Sequence, residues 1–126
     1  MRLFQARISR LESGFVEIDA RIRKAFSQQD GFVHAGVLAT MMDSAGGYAV
    51  LSQLPEGSRV LAVEFKINFM APAAGEVIRG CGRVLRLGRR LAVCELEAKV
   101  RKSKTWTSCA WGSQTVYCVR PGETNG

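Results

Sequence analysis

The sequence predicts an α+β fold, with one long helix packed on one face of an antiparallel sheet. Three observations predict it: a single segment of helical periodicity, period-two alternation on both sides of that segment, and tight turn signals between the alternating runs. With 126 residues, 47% of them hydrophobic and 23% charged, the chain has the size and composition of one globular domain. That domain is expected to span 1–120, followed by a mobile tail at 121–126.

Val16, Ile18, Ala20 and Ile22 alternate with Glu17, Asp19, Arg21 and Arg23, which marks a strand with one buried face. Residues 4–11 read as its partner, and Glu12, Ser13 and Gly14 supply the turn of a hairpin. After the polar run 27–31 the pattern becomes helical from about residue 35 to 53, where Pro55 and Gly57 stop it. At about 100° per residue, Leu38, Met42, Ala45 and Ala49 form a core stripe with Met41, Tyr48 and Ser52 at its edge. Gly36 and Asp43, seven residues apart, share a second face with Ala39, Thr40, Gly46, Gly47 and Val50, so this face is lined mostly by small residues.

Residues 59–71 predict a long strand in which Leu61, Val63, Phe65, Ile67 and Phe69 alternate against Ala62, Glu64, Lys66 and Asn68. A turn at 72–75 leads to a strand over 76–87, where Gly80 and Gly82 mark a bend or a close approach. After a turn at 87–89, residues 92–101 alternate again, and 105–119, rich in Thr, Trp, Val and Tyr, is the last strand.

Composition narrows the function. The weakly charged stretch 31–55 contains His34 and Asp43 and is rich in Gly and Ala, so a membrane span is rejected. The first residues lack the apolar region of a secretion signal, which makes the cytosol the expected compartment. Four cysteines without a C-x-x-C pair, in a chain with one histidine, predict free buried thiols and no metal site. Part of the excess behind the net charge of +7 is concentrated in Arg79, Arg83, Arg86, Arg89 and Arg90, then in Arg101, Lys102 and Lys104. No aromatic residues interleave the first group, so an anionic small molecule is expected rather than a nucleic acid.

The candidate chemistry lies at the start of the helix. A helix N-terminus presents backbone N–H groups and a positive dipole end, which suit an oxyanion forming on a carbonyl, and Gly36 lets a substrate approach. Asp43 follows His34 by nine residues and projects from the small-residue face, where it can activate water or attack a carbonyl itself. Taken singly, an interior Asp is more often structural, a His at a helix entrance more often a cap, and a small-residue face more often a packing surface. Their joint placement is what points to catalysis.

The run Gly31-Phe32-Val33-His34-Ala35-Gly36-Val37-Leu38-Ala39-Thr40-Met41-Met42-Asp43 resembles the PaaI-like acyl-CoA thioesterases of the hotdog superfamily. In that family a His-Gly-Gly type motif opens the helix and an Asp or Glu follows nine residues after the His. Segments 63–73 and 82–90 are similar to the family's next strand and hairpin, which extends the likeness from Gln28 to about Val100. The resemblance implies a curved sheet of about five to six strands wrapped round the helix, and a homodimer or homotetramer with sites shared between subunits. It implies hydrolysis of an acyl-CoA thioester, with Asp43 as general base or nucleophile and Ala35 and Gly36 as oxyanion hole beside His34. Gln28, six positions before His34, would orient the carbonyl or the water, and Gly88, Arg89 and Arg90 would lie near the phosphates of coenzyme A. Val33 and Asn68 are further substrate-binding positions, and coenzyme A enters only as part of the substrate, with no other cofactor, no nucleic acid and no membrane. Ala35 replaces the family's first glycine but keeps its N–H, and Ala62 stands where some relatives carry Ser, so this chain either manages without that Ser or uses Asn68 or Gln29 instead.

Hotdog proteins also include hydratases, dehydratases and non-catalytic acyl-CoA binders. A dehydratase pairs His with a carboxylate, whereas His34 and Asp43 lie about 180° apart on an ideal helix. Phe32, Tyr48, Phe65 and Phe69 are open to two readings, an aromatic acyl pocket or core packing.

Overall fold

The computed structural model describes residues 4–28 and 31–123. Its elements are β1 (Arg7–Glu12), β2 (Phe15–Arg21), a 3-10 turn (Lys24–Phe26), α1 (Ala35–Leu51), β3 (Arg59–Phe69), β4 (Val77–Leu87), β5 (Leu91–Lys102) and β6 (Thr105–Val119). The six strands form one antiparallel sheet in the order β1-β2-β4-β5-β6-β3. α1 packs against every strand from β2 to β6, so the core lies between the helix and one face of a curved sheet.

Local chemistry sets where the helix begins and ends. Upstream of α1 the Val33 N–H donates to the Ala73 carbonyl at 2.8 Å and the His34 N–H to the Phe26 carbonyl at 2.8 Å. These bonds clamp the approach to the helix between the 3-10 turn and the segment after β3. His34 is the N-cap, with extended backbone and no capping bond from its side chain. At the other end the Ser52 hydroxyl donates to the Ala49 carbonyl at 2.6 Å and accepts the Gly14 N–H at 2.8 Å. Gly14 takes φ +78°, a left-handed conformation suited to glycine, and so turns the β1–β2 hairpin against the end of α1.

The two glycines of β4 mark a close approach, since a Cβ on Gly80 would stand 2.6 Å from the Met41 carbonyl oxygen and one on Gly82 2.5 Å from the Gly46 nitrogen. Helix backbone therefore rests directly on strand backbone. This closeness widens the buried arc of α1 to Leu38, Met41, Met42, Ala45, Gly46, Ala49 and Val50. Gly46 and Val50 belong to that arc and not to the open face, while Tyr48, expected at the core edge, is 37% exposed. A curved sheet covers more of a helix than one stripe.

β3 also departs from simple alternation. A bulge between Ala62 and Glu64 changes the phase, so Val60 and Ala62 share a face with Phe65, Ile67 and Phe69, opposite Cys118, Val116, Gln114, Gly112 and Ala110 of β6. Leu61 takes the other face opposite Tyr117, and Val63 is the extra residue of the bulge. β3 ends the sheet, and Phe65 and Phe69 remain about half exposed although they face the helix side.

All four cysteines are buried and unpaired. Burial pushes the Cys81 thiol up to about 12 and the Cys94 thiol up to about 11. Of the expected tail, residues 121–123 turn back through a Glu123 N–H bond to the Arg120 carbonyl at 3.0 Å, while 124–126 lie outside the described residues. No described helix is long and apolar enough to cross a membrane, and the described residues contain no cluster of three or more His, Cys, Asp or Glu arranged to hold a metal.

Candidate active site

α1 carries two recesses at different levels. The first, of about 370 Å³, surrounds the helix entrance and is lined by Gln28, Phe32, Val33, Ala35 and Leu38 with 69–73. Ala35 and Gly36 are the first helical residues and are exposed, and their N–H groups precede any acceptor within the helix. Gly36 has nothing within 4 Å of a built Cβ, so a ligand can reach the backbone there. Gln28 is held by its own backbone, donating its N–H to the Phe32 carbonyl at 2.7 Å and accepting the Gly31 N–H at 3.0 Å, which leaves its exposed side chain free to line the recess.

The second recess, of about 200 Å³, is lined by Asp43, Ser44, Gly47, Tyr48 and Leu51 of α1, Val60 and Ala62 of β3, and Gln114 and Val116 of β6. Asp43 lies at the border of the buried arc. Burial raises its pKa above the usual carboxylate value, while a hydrogen bond from Gln114 pulls in the opposite direction. The Gln114 Nε2 donates to Asp43 Oδ1 and lies 3.4 Å from the Asp43 carbonyl. Thr40, also on this face, spends its hydroxyl on the Gly36 carbonyl at 2.8 Å. A half-buried carboxylate in a recess of mixed polar and apolar lining is suited to accept a proton from water or to attack a carbonyl.

The structure thus brings Gln28, Val33 and Ala35 together with Gly36 and His34 at one level and sets Asp43 at another. Gly36 and Asp43 are separated by about 10 Å along the helix axis, and His34 and Asp43 by about 13 Å, so neither pair touches within one chain. Gly88, Arg89 and Arg90 form the β4–β5 turn, pinned by bonds from the Gly88 N–H to the Leu91 carbonyl at 2.8 Å and from the Cys118 N–H to the Arg90 carbonyl at 2.6 Å. Arg89 is 76% exposed and makes one loose pair with Glu123 at 3.5 Å. Asn68 pairs with Trp111 on the face of β3 opposite Ala62, so it does not join the Asp43 recess of its own chain, and Gln29 lies outside the described residues.

Gln114 is the site residue that sequence reasoning missed. Its signal was present, because it occupies an inward position of β6 between Gly112 and Val116, where a polar side chain needs a partner.

Comparison with known proteins bears on the family and the fold. The profile of the thioesterase superfamily matches residues 30–107. A thioesterase family protein from Silicibacter pomeroyi superposes with a TM-score of 0.92 at 38% identity, covering 95% of this chain and 88% of that one. A Bacillus halodurans protein solved with CoA superposes with a TM-score of 0.82 at 25% identity, covering 94% and 76%. The proofreading thioesterase EntH of Klebsiella pneumoniae is 27% identical over 108 residues, covering 86% of this chain and 79% of its own. The chain spans 45% of the length of a Halobacterium salinarum relative that it matches at 36% identity over 69 residues. With its helix, its six-stranded antiparallel sheet and a profile match over most of its length, the chain belongs to the thioesterase superfamily and has the hotdog fold.

Proposed function

We propose that this protein hydrolyses an acyl-CoA thioester, with Asp43 of one subunit acting on a carbonyl held at the helix entrance of a second copy. The separation of Asp43 from Ala35 and Gly36 on one rigid helix carries this reading. Groups about 10 Å apart along the axis do not meet on a single carbonyl, whereas a second copy supplies the missing half at each site. The free edge of β3, with Leu61, Val63 and Phe65 between 47% and 59% exposed, is suited to cover that second copy.

In this arrangement the Asp43 carboxylate takes a proton from water, or attacks the carbonyl directly, while the N–H groups of Ala35 and Gly36 stabilise the oxyanion and Gln28 orients the carbonyl or the water. The thiolate leaves without a strong acid, so His34 needs no proton-donating role, and its backbone carbonyl accepts the Val37 N–H at 3.0 Å at the helix start. Arg89 and Arg90 in the exposed turn beside Gly88 meet the phosphates of coenzyme A, and the weak surface pair of Arg89 with Glu123 is readily exchanged for them. Val33, Phe32 and Phe69 form the apolar wall nearest the carbonyl. The family assignment and the Bacillus halodurans relative solved with CoA support the substrate class.

Hydrolysis of aromatic, short-chain and long-chain acyl-CoA thioesters, read by mass spectrometry, tests the proposal. One acyl class is expected to be cleaved, Asp43→Asn to fold and lose turnover by about 10²–10⁴-fold, and Arg89→Ala to raise KM more than it lowers kcat. Binding without cleavage across the whole panel would replace the hydrolase reading with that of an acyl-CoA binder.

A further inference from the structure

Gln114 is 1% exposed, the most deeply buried of the polar and charged side chains among the described residues. A buried amide is costly unless its hydrogen bonds are met, and here only half of it is satisfied. Nε2 faces the Asp43 carboxylate and carbonyl, while Oε1 finds no donor among the described residues. The amide cannot be turned round, because Oε1 would then confront two acceptors.

The space for this amide is built. A Cβ on Gly46 would overlap Gln114 Oε1 and stand 2.7 Å from Leu96 Cδ2, so a glycine in the middle of α1, one turn beyond Asp43, is what admits the side chain. Glycine is unfavourable in a helix and an apolar residue at 114 would bury without penalty. The fold accepts both disadvantages and gains one thing, an N–H donor aimed at the carboxylate.

We propose that Gln114 is a positioning residue for Asp43, fixing Oδ1 so that Oδ2 is presented to the reaction. This rests on the reading of Asp43 as base or nucleophile. The opposing influences at Asp43 fit it, since desolvation favours the protonated acid and the Gln114 bond favours the carboxylate. The groups facing Asp43 in its recess are Ser44, Gly47, Tyr48 and Leu51 from α1, Val60 and Ala62 from β3, and Gln114 and Val116 from β6, among which Tyr48 is the one other titratable side chain. No cation in that lining shares the task.

The test titrates Asp43 by carboxyl ¹³C NMR in wild type and Gln114→Met, with the resonance identified by its loss in Asp43→Asn, beside pH profiles of kcat/KM. Methionine fills similar volume without a donor. In Gln114→Met both the Asp43 midpoint and the acid limb of activity should move to higher pH, with KM little changed and plateau kcat lower by roughly tenfold or more. Gly46→Ala, which displaces the amide while leaving Gln114 and Asp43 in the sequence, should move the same midpoint and serves if Gln114→Met does not fold. A folded variant with the Asp43 midpoint and the acid limb where wild type has them overturns the proposal. A shifted midpoint beside a fully active Asp43→Asn would leave Gln114 as the group that sets the carboxylate's titration and would remove the base reading, and with it the positioning role.

Discussion

A half-buried carboxylate whose pKa is raised by desolvation opposes folding at neutral pH, and Asp43 is such a group. The native state holds its proton to higher pH than the unfolded chain does. Stability from this residue is therefore fully present below the unfolded pKa and is lost as pH rises through the folded one. Asp43→Asn, which keeps an acceptor for Gln114 and has no charge to desolvate, is expected to melt at or above the wild-type temperature at pH 7. That advantage should shrink as pH falls, as thermal scans across pH 4–7 would show. A marked loss of stability at pH 7 would make Asp43 a structural residue. Asp43 was singled out in the sequence from its spacing to His34, whereas its pairing with Gln114 spans 71 residues and has no local signal.

At the scale of the elements, glycines have opposite duties at two places. Gly82 of β4 lies where a Cβ would strike helix backbone, so Gly82→Ala must lift α1 from the sheet and should cost about 1–3 kcal/mol, measured by urea unfolding. Gly36→Ala places its methyl group in open space on the first turn, so stability should stay within about 0.5 kcal/mol of wild type. Activity should fall with it, because the methyl stands where substrate nears the backbone. The sequence placed all six strands and the helix to within a few residues, since hydrophobic period and turn residues are local signals. It misjudged the first half of β3, where one extra residue before Glu64 reverses which side chains face inward, and bulges have no periodic signature.

For the whole molecule, a site divided between copies makes a quantitative prediction. Co-expressed Asp43→Asn and Gln28→Ala subunits, each inactive as a pure dimer, should form mixed dimers with one intact site, restoring about a quarter of wild-type activity at random assortment. Sites contained in one chain would restore none. The sequence by itself determined the element order, the fold class and the motif from His34 to Asp43, because these depend on residues near one another along the chain. Tertiary structure decided the rest: the wider buried arc of α1, the placement of Asn68 away from the Asp43 recess and the pairing of Gln114 with Asp43. Each depends on how a curved sheet closes on a helix, and that closeness is set by contacts between residues far apart in sequence, such as Gly82 against Gly46 and β6 against α1.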